Sequence, residues 1–207
     1  MIGSLIKKTL SLAGYEIHRI PLPHRIAEPV IPAEDKIHYA CGRVYLPGWL
    51  NVDIIQNGPN NYRYVDLVQR HPFPDESFAF ALCEDFIEHV NQADALIFLR
   101  EVYRTLKPGG VLRLSSPSLE GILERHFITT STEIFEQGRA DAYYSYGHKN
   151  FFSRDTLRTV GEHIGFNVEF HSALESPHEV FRSRLTHRTD PIEFHAELAK
   201  PKPLKFS

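Results

Sequence analysis

The chain has 207 residues, of which 42% are hydrophobic and 24% are charged. A chain of this size and composition is typical of one globular domain, because about 70% of the unfolded surface can be buried at this length. The net charge of −3 provides no basic surface for phosphates, so nucleic acid is not expected as a partner. No apolar run approaches the ~20 residues of a membrane-spanning helix, so an integral membrane protein is excluded.

The chain contains two cysteines, Cys41 and Cys83. They are too few and too far apart for a disulfide framework or a zinc site. We therefore expect reduced thiols, a cytoplasmic location and no metal site.

The first 14 residues carry apolar side chains near one helical face, interrupted by Lys7 and Lys8. The lysines argue against a signal peptide, so a retained amphipathic helix is predicted, with Gly14 as its C-cap. The helix either packs on its own domain or contacts a membrane surface or partner. The stretch "PLPHRIAEPVIPAED" follows and predicts an extended linker. Residues 1–35 are thus an appendage to a main domain spanning 36–207.

Strand and helix signals alternate from Lys36 onward. Short apolar runs bounded by turn residues predict strands at 37–41, 50–54, 62–66, 78–83, 111–115, 167–172 and 192–199. Helical periodicity predicts helices from Ala93 to Leu106 and from Arg154 to Ile164. Ser153 and Gly165 fit the second helix as N-cap and C′ residue. This alternation predicts an α/β fold with a mainly parallel, doubly wound sheet and a ligand at the carboxyl ends of its strands.

The stretch "KIHYACGRVYLPGWLNVDI" restricts the ligand. A dinucleotide fingerprint supplies three glycines and an acid ~20 residues later. Here Gly42 has no such companions, and Asp53 follows only eleven residues later. A nucleoside without phosphates needs only a small residue after the first strand and an acid after the second, and this stretch offers both.

Five segments, in order, resemble class I S-adenosylmethionine-dependent methyltransferases, in particular a small bacterial type-11-like branch. They are "ACGRVYLPGWLNVD", "VDLVQRHPFPDESF", "CEDFIEHV", "FLREVYRTLKPGGVLRLSSP" and "GHKNFFSRDTLRTVGEHIGF". The resemblance covers about residues 36–200. It implies a Rossmann-like sheet of seven strands, mostly parallel with an antiparallel last strand, and S-adenosyl-L-methionine as cofactor.

The resemblance also implies a set of cofactor-binding residues. The turn at Ala40, Cys41 and Gly42 would contact the methionine part and the ribose, and Asp53 would bind the ribose hydroxyls. Asp66 and Leu67 would contact the adenine edge. Cys83 and Glu84 would line the cofactor at the end of the fourth strand. From the residues alone, Asp53 could instead be an ordinary strand-end acid, and Asp66 could be a turn cap.

Two departures from the family pattern keep alternatives open. Ala40 replaces the first motif glycine, and Ala79 replaces the acid that usually begins strand four. They motivate a catalytically silent scaffold or binding protein in a biosynthetic complex as the main alternative. A nucleotide-binding oxidoreductase is a third reading, which the missing glycines disfavour.

Residues 116–152 correspond to the segment in which this fold usually builds its substrate lid. The run "ADAYYSYGHKNFF" concentrates aromatic side chains there, which suits a sugar or a small aromatic acceptor. We expect a small hydroxyl-bearing acceptor, such as a sugar or glycan precursor. The lid could also simply pack on its own core. His148 is the predicted general base and His89 the second candidate. Alternatively, His148 caps or packs the lid, and Glu88-His89 only opens a helix.

Overall fold

The computed structural model describes residues 29–54, 58–127, 132–182 and 192–203. The helix predicted over residues 1–14 and most of the linker lie outside the described residues. Within them, seven strands form one sheet in the order β3-β2-β1-β4-β5-β7-β6. The strands are β1 (Lys36–Tyr39), β2 (Leu50–Asp53), β3 (Tyr62–Tyr64), β4 (Phe78–Glu84), β5 (Leu106–Pro117), β6 (Asn167–His171) and β7 (Glu193–Ala199).

The pairing of these strands confirms the predicted fold class. β3, β2, β1, β4 and β5 pair in parallel with one another. Only β7, the last strand in the chain, runs antiparallel to β5 and β6. The carboxyl ends of five parallel strands therefore meet along one edge, where a doubly wound sheet binds its ligand.

Most strand boundaries lie within two residues of the prediction, and two differences have a visible backbone cause. β1 ends at Tyr39 rather than at residue 41, because Ala40 adopts a left-handed φ of 49°. β5 begins at Leu106, five residues before the predicted start. The N–H of Gly109 donates to the carbonyl of Lys200, and the N–H of Lys200 donates to Gly110. These bonds extend the ladder through the glycines.

Helices cover the sheet and fill the connections. A 3₁₀ turn at Ile87–His89 follows β4, and a π-helical segment occupies Ala140–Ser145. The α-helices are α1 (Gln92–Thr105), α2 (Leu119–Phe127), α3 (Thr132–Arg139), α4 (Arg154–Ile164) and α5 (Glu179–Arg182). α1 and α4 were predicted from periodicity. The two shorter helices between β5 and α4 were not, because each offers too few turns for a periodic signal.

The caps of α4 and the core fit the sequence pattern. The Ser153 hydroxyl accepts a hydrogen bond from Thr156 N, and Gly165 has the left-handed φ of 118° that ends the helix, as predicted. Phe98, Leu99 and Leu157 are fully buried in the main apolar cluster. Among the residues described, no helix is both long and apolar enough to cross a bilayer.

A buried ion pair joins the antiparallel end of the sheet to the loop after β6. Arg113 on β5 donates to Glu197 on β7 at 2.9 Å, and both side chains are 4% exposed. Arg113 also donates to the carbonyls of Ser172, Ala173 and Glu175. The charge of Glu197 is thus matched by a cation with several further hydrogen bonds.

Candidate active site

A cavity of about 780 Å³ opens at the carboxyl ends of β1, β4 and β5. Two parts of the site differ in composition. The strand-end half consists of residues 40–44 together with Asp53, which holds their turn. The histidine half consists of Glu88, His89 and His148. Further wall residues come from the end of β4 and the residue after it, from α2 and from the segment before α4: Glu84, Asp85, Arg125, His126, Asp141 and Tyr146.

The strand-end half is a tight turn fixed by one carboxylate. Ala40 and Gly42 both have left-handed φ values, 49° and 55°. Asp53 Oδ2 accepts from Gly42 N at 2.8 Å, and Asp53 Oδ1 accepts from Ile54 N at 2.6 Å. A Cβ added at Gly42 would meet no atom within 4 Å, so space remains beside the turn. Asp53 does not line the cavity itself, but it is hydrogen-bonded to Gly42, which does.

The two cysteines occupy different environments, although both are reduced and buried. Cys41 lines the cavity, and burial, reinforced by the nearby Asp53 charge, raises its thiol pKa to about 12. Cys83 is fully buried in the apolar core, and burial raises its pKa well above the ordinary value. Glu84, the next residue of β4, lines the cavity, and Cys83 does not. The cofactor contact of Cys83 stays a prediction.

The residues expected at the adenine edge also lie outside the cavity wall. Val65 N donates to the carbonyl of Asp53, which brings the segment after β3 to the same edge of the sheet. Asp66 Oδ1 accepts from Val68 N at 3.2 Å, and the carbonyl of the buried Leu67 lies 3.2 Å from His71 Nε2. In this arrangement Asp66 acts as a turn cap, and its adenine contact stays a prediction.

The histidine half brings together residues that are far apart in the chain. The rings of His89 and His148 lie 4.9 Å apart between centroids. One potential ligand atom from each of Glu88, His89 and His148 lies within 4.8 Å of the others. Tyr146 stacks on His148 at 5.5 Å. Both predicted histidines therefore face the same part of the cavity.

Burial shifts the proton affinities of two members of the histidine half. Burial raises the pKa of Glu88 to about 8, the Asp85 charge adds to this, and a hydrogen bond from Ser116 opposes it. Burial, together with the nearby His89, lowers the pKa of His148 below its ordinary value, while a hydrogen bond with the Ala142 carbonyl opposes the shift. Both shifts favour neutral side chains, so the imidazole of His148 is able to accept a proton near neutral pH.

Sequence reasoning missed how the histidine half is held together. Ser116 Oγ donates to Glu88 Oε2 at 2.9 Å. Asn150 Nδ2 donates to the carbonyls of Ile87 and Val90. Neither Ser116 nor Asn150 carries a recognisable signal of its own. The motif "CEDFIEHV" contained Glu88, but only the fold shows that its carboxylate is buried.

The sheet order and the position of the cavity define the class I methyltransferase fold. A family model described as "Methyltransferase domain" matches residues 9–170. The chain belongs to this family and is an S-adenosylmethionine-dependent methyltransferase. No curated protein matches the chain.

Several solved structures share the fold at low sequence identity. An S-adenosylmethionine-dependent methyltransferase from Mesorhizobium loti is 18% identical with a TM-score of 0.57, over 83% of this chain and 93% of its own. A possible histamine N-methyltransferase from Thermotoga maritima is 20% identical with a TM-score of 0.53, over 83% and 84% of the two chains. A methyltransferase from Archaeoglobus fulgidus is 18% identical with a TM-score of 0.51, over 95% and 94%. At these identities the likeness shows the fold.

The residues present fit S-adenosyl-L-methionine. The open space beside Gly42 lets a ligand approach the backbone closely. Four acidic side chains besides the neutral Glu88 line the cavity against two arginines, an excess that suits a cationic sulfonium. They are Glu84, Asp85, Asp141 and Glu193.

Proposed function

We propose that the protein methylates a small hydroxyl-bearing acceptor, with a sugar or glycan precursor as the candidate class. The observation that carries this proposal is the His89–His148 pair at 4.9 Å in the wall of the cavity. A hydroxyl must lose its proton as it is methylated, and an imidazole that is neutral at pH 7 is suited to take it.

The strand-end half is the proposed cofactor site. Ala40, Cys41 and Gly42 hold the methionine part and ribose by their backbone turn, and Asp53 accepts from the ribose hydroxyls. Glu84 lines the cofactor site at the end of β4. Asp66 and Leu67 sit at the same sheet edge, where they can limit the adenine end. The bound cofactor supplies an activated methyl group on sulfur.

The protein contributes mainly position and proton handling. Holding donor and acceptor in line contributes up to roughly 7–11 kcal/mol to the rate. The segment 116–152, proposed as the lid, supports this role because Ala142, Tyr146 and His148 line the cavity. His148 is the proposed base, and His89 adjusts its proton affinity from 4.9 Å away.

The proposal also includes a main domain from residue 36 and a cytoplasmic location. Two unpaired, buried cysteines support a reducing compartment. The catalytically silent alternative rested on Ala40 and Ala79. Ala40 adopts a left-handed φ of 49° without being a glycine, which supports a working cofactor site.

Two measurements test the proposal in sequence. Calorimetric titration with S-adenosylhomocysteine should show micromolar binding, and absence of binding would favour the silent scaffold. Purified protein with radiolabelled cofactor is then given a panel of sugars, sugar precursors and small amines. Transfer to hydroxyl compounds is expected. Exclusive transfer to amines would contradict the hydroxyl assignment, because a neutral amine needs no general base.

A further inference from the structure

The histidine half has the composition of a metal site. One carboxylate oxygen and two imidazole nitrogens, from Glu88, His89 and His148, lie within 4.8 Å of one another. All three residues line the cavity, so the open side of the cluster faces the space left for an acceptor. Two imidazoles and a carboxylate are the donor set that zinc and other divalent first-row transition metals prefer.

The protein backbone holds the three side chains in place. Lys149 N donates to the carbonyl of Glu88 at 2.7 Å, which fixes the residue after His148 onto the 3₁₀ turn. Asn150 Nδ2 donates to the carbonyls of Ile87 and Val90, on either side of Glu88 and His89. These hydrogen bonds hold the segment around His148 against the 3₁₀ turn that carries Glu88 and His89.

One carboxylate oxygen of the buried Glu88 has no hydrogen-bond partner among the described residues. The side chain is 1% exposed, and Ser116 Oγ donates to Oε2 at 2.9 Å. Oε1 is buried and accepts no hydrogen bond from any residue that the structure describes. Nδ1 of His148 is likewise buried without a hydrogen-bond partner within the described ranges. Buried polar atoms are rarely left in this state unless a ligand or ion completes them.

We propose that Glu88, His89 and His148 bind one divalent first-row transition-metal ion. The ion supplies the missing partner of Glu88 Oε1. The rings of Tyr146 and Phe151 pack against the His148 ring, with centroids 5.5 Å and 5.2 Å away, and would hold its orientation. His89 and His148 were predicted as proton acceptors, and no metal site was expected, because the donors are spread over 61 residues of the sequence.

The ion would take over the handling of the acceptor proton, a role that rests on the proposed function. An oxygen ligand on a divalent ion loses its proton more easily. The acceptor's O–H bond breaks with its proton passing to water, the oxygen forms a bond to the methyl carbon, and the carbon–sulfur bond breaks to leave S-adenosylhomocysteine. In this state the histidine nitrogens hold the ion and do not themselves take the proton.

Metal binding is tested without any acceptor. Full-length protein, free of any purification tag and stripped with a chelator, is titrated with Co²⁺ and followed by its visible absorption. Zn²⁺ is then titrated by calorimetry. We expect one ion per chain with micromolar or tighter affinity. Glu88→Gln and His148→Ala should each weaken Zn²⁺ binding at least tenfold, and circular dichroism checks that each variant is folded.

A second glutamate with two neighbouring histidines provides a matched control. His171 Nε2 and His178 Nε2 lie 3.9 Å and 3.7 Å from Glu197 Oε2, but Glu197 is already paired with Arg113. His178→Ala should therefore leave Zn²⁺ affinity unchanged. If the parent binds no ion stoichiometrically, or if His178→Ala weakens binding as much as His148→Ala does, the assigned site is wrong.

The catalytic role of the ion is tested separately once an acceptor is known. Stripped protein should lose turnover at least tenfold and regain it with added metal, while S-adenosylhomocysteine affinity stays constant. Full turnover in stripped protein would overturn this role. Failure to bind S-adenosylhomocysteine would instead count against the proposed function, because no residue of the metal cluster belongs to the strand-end half.

Discussion

The strand-end half and the histidine half of the cavity differ in how their polar groups are satisfied. In the strand-end half, both oxygens of Asp53 accept hydrogen bonds from backbone N–H groups. In the histidine half, Glu88 Oε1 and His148 Nδ1 are buried without hydrogen-bond partners among the described residues. Each Asp53 oxygen thus has a partner already and can accept one further bond, whereas Glu88 Oε1 and His148 Nδ1 have none.

This difference matches the two tasks of a methyltransferase. A cofactor site needs a fixed shape, which a hydrogen-bonded turn supplies. Reacting groups need proton affinities set by burial and neighbours, and such groups concentrate at functional sites. Variants in the two halves should therefore affect different measured quantities: cofactor affinity for the strand-end half, and turnover for the histidine half.

The largest expected effect is on turnover, from the histidine half. His148→Ala should lower turnover by about 10²-fold or more at saturating cofactor, with S-adenosylhomocysteine affinity intact. His89→Ala should lower it in the same direction. His163→Ala on α4 serves as the control, because it does not line the cavity. Near-parental turnover in both cavity variants would remove the imidazoles from the reaction, whether as base or as metal ligands.

The complementary change is made in the strand-end half. Asp53→Ala should weaken S-adenosylhomocysteine binding by about 1–3 kcal/mol, because a charged acceptor for two hydroxyls is lost. Calorimetry measures the affinity, and circular dichroism should show an unchanged fold. Asp53→Asn keeps an oxygen for Gly42 N and removes only the charge, so it should lose less affinity. Parental binding by Asp53→Ala would refute the ribose assignment.

The two halves also differ in how far the sequence predicted them. The turn at Ala40–Gly42 and Asp53 lie within fourteen residues, so their spacing alone indicated a nucleoside site. His89 and His148 were predicted singly, but their contact depends on Asn150 bonding to the turn after β4. Side-chain direction was a further limit. Cys83 was predicted on the cavity wall because it lies near the end of β4. Its side chain is instead buried in the apolar core.

A smaller effect concerns pH and the support beneath the strand-end half. His71 packs on Tyr39, the last residue of β1, with ring centroids 5.3 Å apart. Burial lowers its pKa to about 4, while the Leu67 carbonyl and the Glu101 charge oppose the shift and Arg104 adds to it. Since the unfolded chain binds this proton near pH 6.5, stability is full above that pH and falls as pH drops toward 4.

The expected loss attributable to His71 is about 1–3 kcal/mol between pH 7 and pH 4. Urea unfolding of the parent and of His71→Phe at several pH values measures it. The variant should lose less stability on acidification than the parent, whatever its stability at pH 7. His163→Gln, outside this core, should follow the parent. Parallel curves for the parent and His71→Phe would show that protonation of His71 does not control acid stability.

The smallest expected effect is on the free energy of unfolding and comes from backbone strain in the strand-end half. Ala40 and Gly42 form a matched pair there. Both residues have left-handed φ values, 49° and 55°. A left-handed backbone costs a residue with a Cβ roughly 1–2 kcal/mol, whereas glycine adopts it freely. Ala40→Gly should therefore raise the free energy of unfolding by up to about 1 kcal/mol, since the greater freedom of glycine in the unfolded chain offsets part of the gain. Gly42→Ala should lower it by about 1 kcal/mol through conformation alone, because its new Cβ would meet no atom within 4 Å.

Urea unfolding compares the stability of the two variants with that of the parent, and titration with S-adenosylhomocysteine shows whether cofactor affinity changes in the same direction. If Ala40→Gly is destabilised instead, the turn is held by contacts of the alanine methyl group, and the departure from the family's glycine serves packing.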